Sequence, residues 1–150
     1  MGSPHKREDR PSASERDVLN GGWMIVKSAQ SDTTLEFGPV EGEWVEVLLA
    51  SKKYSARKLI SLYTDPRGVA SLFRSVAADW RGWEGARAWR CLEGDLQLSM
   101  EADGRGRIVL TVVLGQQAGE REEWQLVAGL ELEAGSLEAL AEAAERHFRA

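Results

Sequence analysis

The chain has little of the chemistry that most catalytic or metal sites need. It contains one cysteine, Cys91, and two histidines, His5 and His147, in 150 residues. A single cysteine cannot form an intramolecular disulfide and is typical of a reducing compartment. The sequence also lacks the zinc-binding spacings H-E-x-x-H and C-x-x-C, the nucleophile motif G-x-S-x-G and a Gly-rich phosphate-binding loop. We therefore expect no metal ion, no cofactor and no catalytic residues.

Long apolar segments are also absent. The longest apolar runs, such as residues 108–114, are far shorter than the roughly 20 residues that a membrane helix needs. The basic residues near the N-terminus are not followed by an apolar segment, so we expect no secretory signal peptide. These features predict a cytoplasmic protein that does not bind membranes.

A strong positive charge is missing too. The net charge is −5, with segment charges of 0, +1 and −6 for residues 1–20, 21–83 and 84–150. Nucleic acid is therefore not an expected partner, because phosphate binding needs a concentrated basic face. One basic cluster stands in the sequence SKKYSARK, formed by Lys52, Lys53, Arg57 and Lys58. It indicates either a hairpin that keeps a sheet edge in solution or a docking patch for an acidic partner.

The composition indicates one globular domain after a polar tail. Residues 1–20 are charged, rich in serine and proline and without hydrophobic period, which predicts a disordered tail. Residues 21–150, by contrast, contain strand and helix patterns of ordinary length. We expect a single α+β domain over that range.

Strand patterns are clearest in the second half of the chain. Residues 96–101 alternate apolar and polar side chains, and Asp103-Gly104 is a typical hairpin turn. Residues 107–114 are apolar on both faces, which predicts a central strand covered on both sides. Residues 124–133 place Trp124 and four further apolar side chains on one face.

Helical spacing appears twice. Residues 65–82 carry an apolar stripe that ends at Trp80, with Asp65 as the expected N-cap, Pro66 at the first position and Gly82 as the stop. Residues 136–148 show the same spacing after Ser136, the expected N-cap. Both helices should bury one face.

The same order of signals occurs twice, which predicts two ββββα pseudo-repeats at about residues 21–82 and 83–150. The matched positions are Trp23 with Trp89, Leu35 with Leu98, Phe37 with Met100, and Val45, Val47 and Leu49 with Leu110, Val112 and Leu114. Such blocks imply antiparallel β meanders with helices packed on one face of the sheet. We expect the two sheets to join edge to edge; that they face one another is the alternative.

The junction DWRGWEGARAWRCLEGDLQL, residues 79–98, is rich in tryptophan and arginine. Trp80 and Trp89 are expected to be core residues of a helix and a strand. Trp83 lies between two glycines, where it is either a plug against the sheet end or an exposed binding aromatic. The candidate binding residues are therefore Arg81, Trp83, Glu84 and Arg87.

Three further features have ordinary structural interpretations. Cys91 lacks a histidine partner and is expected to be a small buried hydrophobe. His147 is expected to be a solvated cation at a helix end. The carboxylates Glu93, Asp95, Glu101 and Asp103 flank one hairpin and could bind Mg²⁺, but aspartates at turns usually cap backbone N–H groups.

The segments LFRSVAADWRGWEGARAWRC, EGDLQLS, RIVLTVVL and LELEAGSLEALAEAA resemble an uncharacterised actinobacterial family, domain of unknown function 6228. The resemblance covers about residues 69–148. It implies a bacterial, cytoplasmic protein, and it brings no known catalytic residues.

Three functional classes remain open. The expected one is a non-catalytic protein-interaction module, of an immunity or regulatory type. The second is a small-ligand binder or enzyme that uses a cleft between the two repeats, lined by Arg81, Arg87, Arg90 and the tryptophans. The third is a structural homodimer formed through exposed strand edges.

Overall fold

The computed structural model describes residues 22–115 and 123–149, so the predicted disordered tail lies outside the described residues. Within these ranges, eight strands and two α-helices follow one another, with a 3₁₀ turn at Ala134–Ser136 before the second helix. Their bounds are β1 Met24–Lys27, β2 Thr34–Phe37, β3 Trp44–Ala50, β4 Ser55–Ser61, α1 Gly68–Ala78, β5 Ala86–Arg90, β6 Leu96–Ala102, β7 Arg107–Gly115, β8 Gln125–Glu133 and α2 Leu137–His147.

The strands form two separate antiparallel meanders, in the orders β1-β2-β3-β4 and β5-β6-β7-β8. Each meander is followed by one helix, which confirms the predicted α+β arrangement of two ββββα units. The expectation that the sheets join edge to edge is wrong, since no strand of one sheet pairs with a strand of the other in the described ranges. Instead the inner faces of both sheets supply one common core, and β4 lies close to β7.

Contacts other than strand pairing connect the two units at their last strands. At the edge of β8, Glu131 O accepts a hydrogen bond from Ala29 N–H at 2.8 Å, and Glu131 N–H donates to Ser28 Oγ at 3.1 Å. On β4, Lys58 Nζ lies 3.7 Å from Asp95 Oδ2, which belongs to the β5–β6 turn. The first turn of each unit, β1–β2 or β5–β6, thus contacts the last strand of the other unit.

Strict alternation places the core residues on the inner faces. Leu35 pairs with Leu49 in the first sheet, and Leu98 pairs with Val112 in the second. All four side chains are fully buried. This register makes Leu49 the counterpart of Val112, so the predicted match of Leu49 with Leu114 is wrong by two residues, a shift that keeps the same face.

The predicted match of Trp23 with Trp89 is wrong by three residues. Val26 lies opposite Leu35, as Trp89 lies opposite Leu98, so Val26 is the counterpart of Trp89. Trp23 instead packs its ring against Gly38 on the outer face of the first sheet. A shift by an odd number changes the face because side chains alternate along a strand.

Each helix packs against the first strand of the other unit. Helix α1 follows the first sheet but contacts β5, and α2 follows the second sheet but contacts β1. The helices also contact each other. Their buried residues include Phe73, Val76 and Ala144, which belong to the common core.

The helix ends differ from the predictions. Helix α1 begins at Gly68 after Arg67, without a side-chain cap, so the predicted Asp65 cap is wrong. Ser136 does not cap α2, because its Oγ donates to Glu133 O. Helix α1 ends at Ala78, before Gly82, whose φ of 127° lies in the turn that follows.

Candidate functional site

Arg87 connects the end of α1 to strand β5. Its Nη1 donates to Ser75 O and to Ser75 Oγ, each at 2.9 Å, and its Nη2 donates to Asp79 Oδ2 at 2.6 Å. The guanidinium carbon lies 5.2 Å from the centroid of the Trp83 ring. A planar cation that makes three hydrogen bonds and one ring contact within its own chain has few donors left for a partner. Arg87 therefore links strand β5 to the end of helix α1.

The other three predicted binding residues lie in the turn but do not converge on one point. Trp83 is half-buried and packs against the core, and its Nε1 is buried without a hydrogen-bond partner in the described part of the chain. Arg81 lies over Trp80, 4.9 Å from the ring centroid, while Glu84 is exposed. The expectation that Trp80 is a core residue is wrong, because it is 51% exposed. A binding role for the four candidates stays a prediction.

Trp89 packs against the start of α1. Its Nε1 donates to Asp65 Oδ2 at 3.0 Å. The ring and this carboxylate leave no room for a side chain at Gly68, where a Cβ would overlap both. Trp89 is half-buried, so its predicted core role holds only for part of the ring. Asp65, predicted as a helix cap, instead fixes this indole.

A cavity of about 620 Å³ lies between α1 and α2. Its lining residues are Arg67, Ala70, Ser71, Arg74, Ser75, Glu145, Phe148 and Arg149. These residues come from the helices of both units, but none of the residues expected to line a cleft between the repeats, Arg81, Arg87, Arg90 and the tryptophans, is among them. Sequence reasoning did not identify any of these residues as a binding group.

Arg74 closes one side of this cavity. It donates from Nε and Nη2 to the two oxygens of Glu145, each at 2.9 Å, and from Nη1 to the Glu138 carboxylate at 2.9 and 3.0 Å. The pKa of Arg74 is raised, first by the bond with Glu145 and then by that with Glu138. The pKa of Glu145 is lowered, chiefly by the hydrogen bond from Arg74. Both partners therefore stay charged at neutral pH.

The outer face of the second sheet is uncovered by any element in the described ranges. Register places three apolar side chains on it, Val109, Val113 and Val127. Val109 is 40% exposed and Val127 is 57% exposed. The prediction that β7 is covered on both faces is therefore wrong, because its outer face meets solvent. Trp124, predicted to face inward, is also exposed.

The middle of this outer face is shallow and nearly uncharged. The row across the strands reads Ala88, Ser99, Thr111 and Gly129. These small side chains leave a depression of about 210 Å³, which extends to Arg90, Gln97 and Val113. Sequence alternation could have identified the face, but nothing in the pattern shows that it lacks a covering layer.

Charged side chains lie at the end of the face next to the β6–β7 turn. Glu101, Glu131 and Glu133 alternate with the inward-facing core residues, and Arg107 forms an ion pair with Glu131 at 3.1 Å. Arg90 lies at the opposite end. The face is therefore acidic at one end.

The predicted basic cluster is divided by the fold. Lys52 and Lys53 lie in the exposed β3–β4 turn. Arg57 pairs with Glu46 at 3.2 Å on the outer face of the first sheet, and Lys58 faces Asp95. Two of the four charges are thus matched within the chain, which gives little support to a docking patch for an acidic partner.

The remaining candidate residues, Cys91, Asp103 and His147, make contacts within the fold. Cys91 is buried, as predicted. Asp103 Oδ1 accepts hydrogen bonds from Arg105 N–H at 2.7 Å and Arg107 N–H at 3.2 Å, which confirms its turn-capping role and lowers its pKa, chiefly through the first bond. The prediction for His147 is wrong, because its Nε2 donates to Gly38 O at 2.6 Å and the ring is half-buried.

Two broader observations concern the described residues. Within 22–115 and 123–149, no three His, Cys, Asp or Glu side chains lie together as a metal-binding group would. Neither helix of that part is long and apolar enough to cross a membrane.

Comparison with known proteins identifies a family but no activity. No curated protein matches the chain. A match to a family of unknown function covers residues 28–150, which includes β2 to β4, α1 and the whole second unit but not β1. The chain therefore belongs to the family of unknown function DUF6228.

Proposed function

We propose that this protein is a non-catalytic interaction module that binds another protein through the outer face of its second sheet. The observation that supports it best is that this face carries exposed valines, with Val109 40% and Val127 57% exposed. Exposed apolar patches with a polar rim are typical of protein-binding surfaces. The module would neutralise or regulate its partner, as an immunity-type protein does.

The shape of the face supports a protein as the ligand. A four-stranded sheet offers a broad and shallow surface, whereas small molecules usually bind in deep concave sites. The depression over Ser99 and Thr111, about 210 Å³ in volume, has room for one large partner side chain. Filling it would bury small side chains, of which Ser99 and Thr111 carry hydroxyls that a polar group of the partner would have to hydrogen-bond.

The charge of the face indicates what the partner should carry. Glu101 and Glu133 have no ion pair with a described residue, while Arg107 neutralises Glu131. The acidic end would therefore attract basic side chains, in agreement with the net charge of −5. We propose a partner that presents aliphatic side chains next to lysine or arginine.

Two equally exposed residues, one on each sheet, allow a matched test of this surface. Val127 on the second sheet and Leu59 on the outer face of the first are each 57% exposed. A partner is captured from an extract of the source cells, identified and purified, and its affinity is measured by calorimetry. We expect Val127→Arg to weaken binding by about 100-fold, as loss of a central contact does, and Leu59→Arg to leave it unchanged.

A second variant tests the charge. Glu101→Lys should weaken binding about tenfold at low salt and less at high salt, because rim charges act mainly through screened attraction. The proposal is wrong if Val127→Arg and Leu59→Arg bind the partner equally well. It is also wrong if light scattering shows a homodimer that Val127→Arg dissociates.

Homodimerisation through strand edges has less support from the fold. The edge strands β1 and β5 contact helices, and the edge of β8 bonds to the β1–β2 turn. A partner strand at β8 would have to displace that turn before it could pair.

A further inference from the structure

The cavity between α1 and α2 lies apart from the outer face of the second sheet. Its volume of about 620 Å³ falls in the range of small-molecule sites, roughly 300 to 1,000 Å³. We infer that it binds a small ligand with an oxyanion group, a phosphate or a carboxylate, joined to an apolar portion. This inference does not depend on the protein-binding role proposed above.

Two arginines supply the recognition of the oxyanion. Arg67 immediately precedes α1, and Arg149 comes two residues after the end of α2. Both line the cavity, and neither side chain forms an ion pair or hydrogen bond with another described residue. An arginine keeps its charge at any physiological pH and matches the geometry of phosphate and carboxylate oxygens. Two such groups on one cavity favour an anion.

Serine hydroxyls add neutral donors on the same wall. Ser71 and Ser75 are one turn apart on α1, and both line the cavity. Ser75 Oγ accepts a hydrogen bond from Arg87 Nη1 at 2.9 Å, so its own hydrogen is free to point elsewhere. The Ser71 hydroxyl makes no hydrogen bond with another described residue. Hydroxyl donors beside arginines are a common arrangement for oxyanions.

The ion pairs on the cavity wall affect the orientation of the ligand. Arg74 pairs with Glu138 and Glu145, so its charge is already matched within the chain and it links the two helices. The Glu145 carboxylate would repel an anion placed next to it. The oxyanion should therefore lie beside Arg67 and Arg149.

The apolar portion of the ligand has a matching surface. Ala70 and Phe148 line the same cavity and are buried in the core. An aromatic or aliphatic substituent placed against them would lose contact with water, which favours binding by about 25 cal/mol per Å². The site thus combines charge at its mouth with apolar surface at its base.

The test is calorimetric titration of the full chain with phenyl phosphate, benzoate and inorganic phosphate at constant ionic strength. We expect saturable binding of one phenyl phosphate or benzoate per chain, and binding of inorganic phosphate at least tenfold weaker because it lacks the apolar portion. The preferred oxyanion distinguishes a phosphorylated from a carboxylated natural ligand.

Variants locate the site. Arg67→Gln and Arg149→Gln should each weaken binding of phenyl phosphate or benzoate about tenfold or more, as loss of a charged hydrogen bond does. Arg105→Gln changes an exposed arginine in the β6–β7 turn and should leave binding unchanged. Thermal unfolding checks that all three variants fold. Absence of saturable binding, or equal weakening by Arg105→Gln, would overturn the inference.

Discussion

The contact of α2 with β1 and the contact of α1 with β5 occupy equivalent places in the two units. The first is apolar, whereas the second is polar. In the first unit, β1 presents Met24 and Val26, opposite Phe37 and Leu35. In the second unit, β5 presents Arg87 and Trp89 at the same register positions, opposite Met100 and Leu98. The first pair is buried and apolar beside α2, whereas the second is half-buried and hydrogen-bonded to α1 and the residues before it.

This difference explains why the tryptophan-rich junction looks like a binding surface in the sequence. Apolar residues at a joint are indistinguishable from other core residues, but arginine and tryptophan stand out by composition. At β5 the charged and ring groups satisfy Ser75, Asp79 and Asp65 within the chain. A polar joint of this kind fixes orientation through hydrogen bonds, while an apolar joint gains its stability from burial.

The largest expected effect on stability concerns Phe148 and Trp80, which occupy matching positions at the C-terminal ends of the two helical segments. Phe148 is 2% exposed, and its ring meets that of Phe37 edge to face with centroids 5.2 Å apart. We expect Phe148→Ala to lower the free energy of unfolding by about 3 to 5 kcal/mol. Trp80→Ala should lower it by less than about 1 kcal/mol, since surface changes are usually small. Urea unfolding of both variants measures the difference, and equal losses would show that the two helix ends are alike.

A smaller effect should follow from adding a methyl group at Gly68, where no space is free. Alanine normally stabilises a helix by about 1 kcal/mol relative to glycine, but here its Cβ would overlap Trp89 and Asp65. We therefore expect Gly68→Ala to destabilise the protein by about 1 to 2 kcal/mol, the usual cost of overpacking.

Two further variants sharpen that test in the same urea experiments. Gly129→Ala, where a Cβ would meet nothing within 4 Å, should change stability by less than about 0.5 kcal/mol. A Trp89→Val background gives β5 the residue that β1 has at this position and also frees Asp65 from its hydrogen bond to the indole. In that background Gly68→Ala should lose most of its cost. A cost that persists without the ring would show that the indole is not the obstacle.

The smallest effect concerns the ion pairs between the helices. The hydrogen bonds from Arg74 lower the pKa of Glu145 in the folded protein. This carboxylate therefore contributes stability above its ordinary pKa of 4.5, and the contribution is lost as the pH falls below that value. Glu145→Gln should lower Tm by less than about 2 °C at pH 7, because the pair is exposed.

Thermal unfolding at several pH values checks this sign. The Tm difference between the natural chain and Glu145→Gln should shrink as the pH falls below 4. A difference that is the same at pH 7 and pH 3 would mean that the ion pair does not cause it.

The local part of the fold could be predicted because strand alternation and turn residues are encoded within short segments. Residues 96–101 and the Asp103-Gly104 turn predicted β6 and the hairpin after it correctly. The relation between the sheets could not be predicted in this way. Nothing in the sequence of β8 shows that the β1–β2 turn, about 100 residues earlier, will bond to Glu131.

The candidate sites could also be predicted only where their residues lie within one short segment. The sequence drew attention to Arg81, Trp83, Glu84 and Arg87 because unusual residues cluster there. The helix cavity was missed because its arginines, Arg67 and Arg149, are 82 positions apart in the chain and look like ordinary surface residues. Only the packing of α1 against α2 brings them to one cavity.

The crossed placement of the helices also changes how the chain can be divided. A cut near residue 82 follows the boundary between the units in the sequence, yet each fragment would carry the helix that the other fragment needs. The first fragment would leave β1 without α2, and the second would leave β5 without α1. The two units are therefore interlocked halves of one cooperative body, and the point where the pattern begins again is not a place where the protein comes apart.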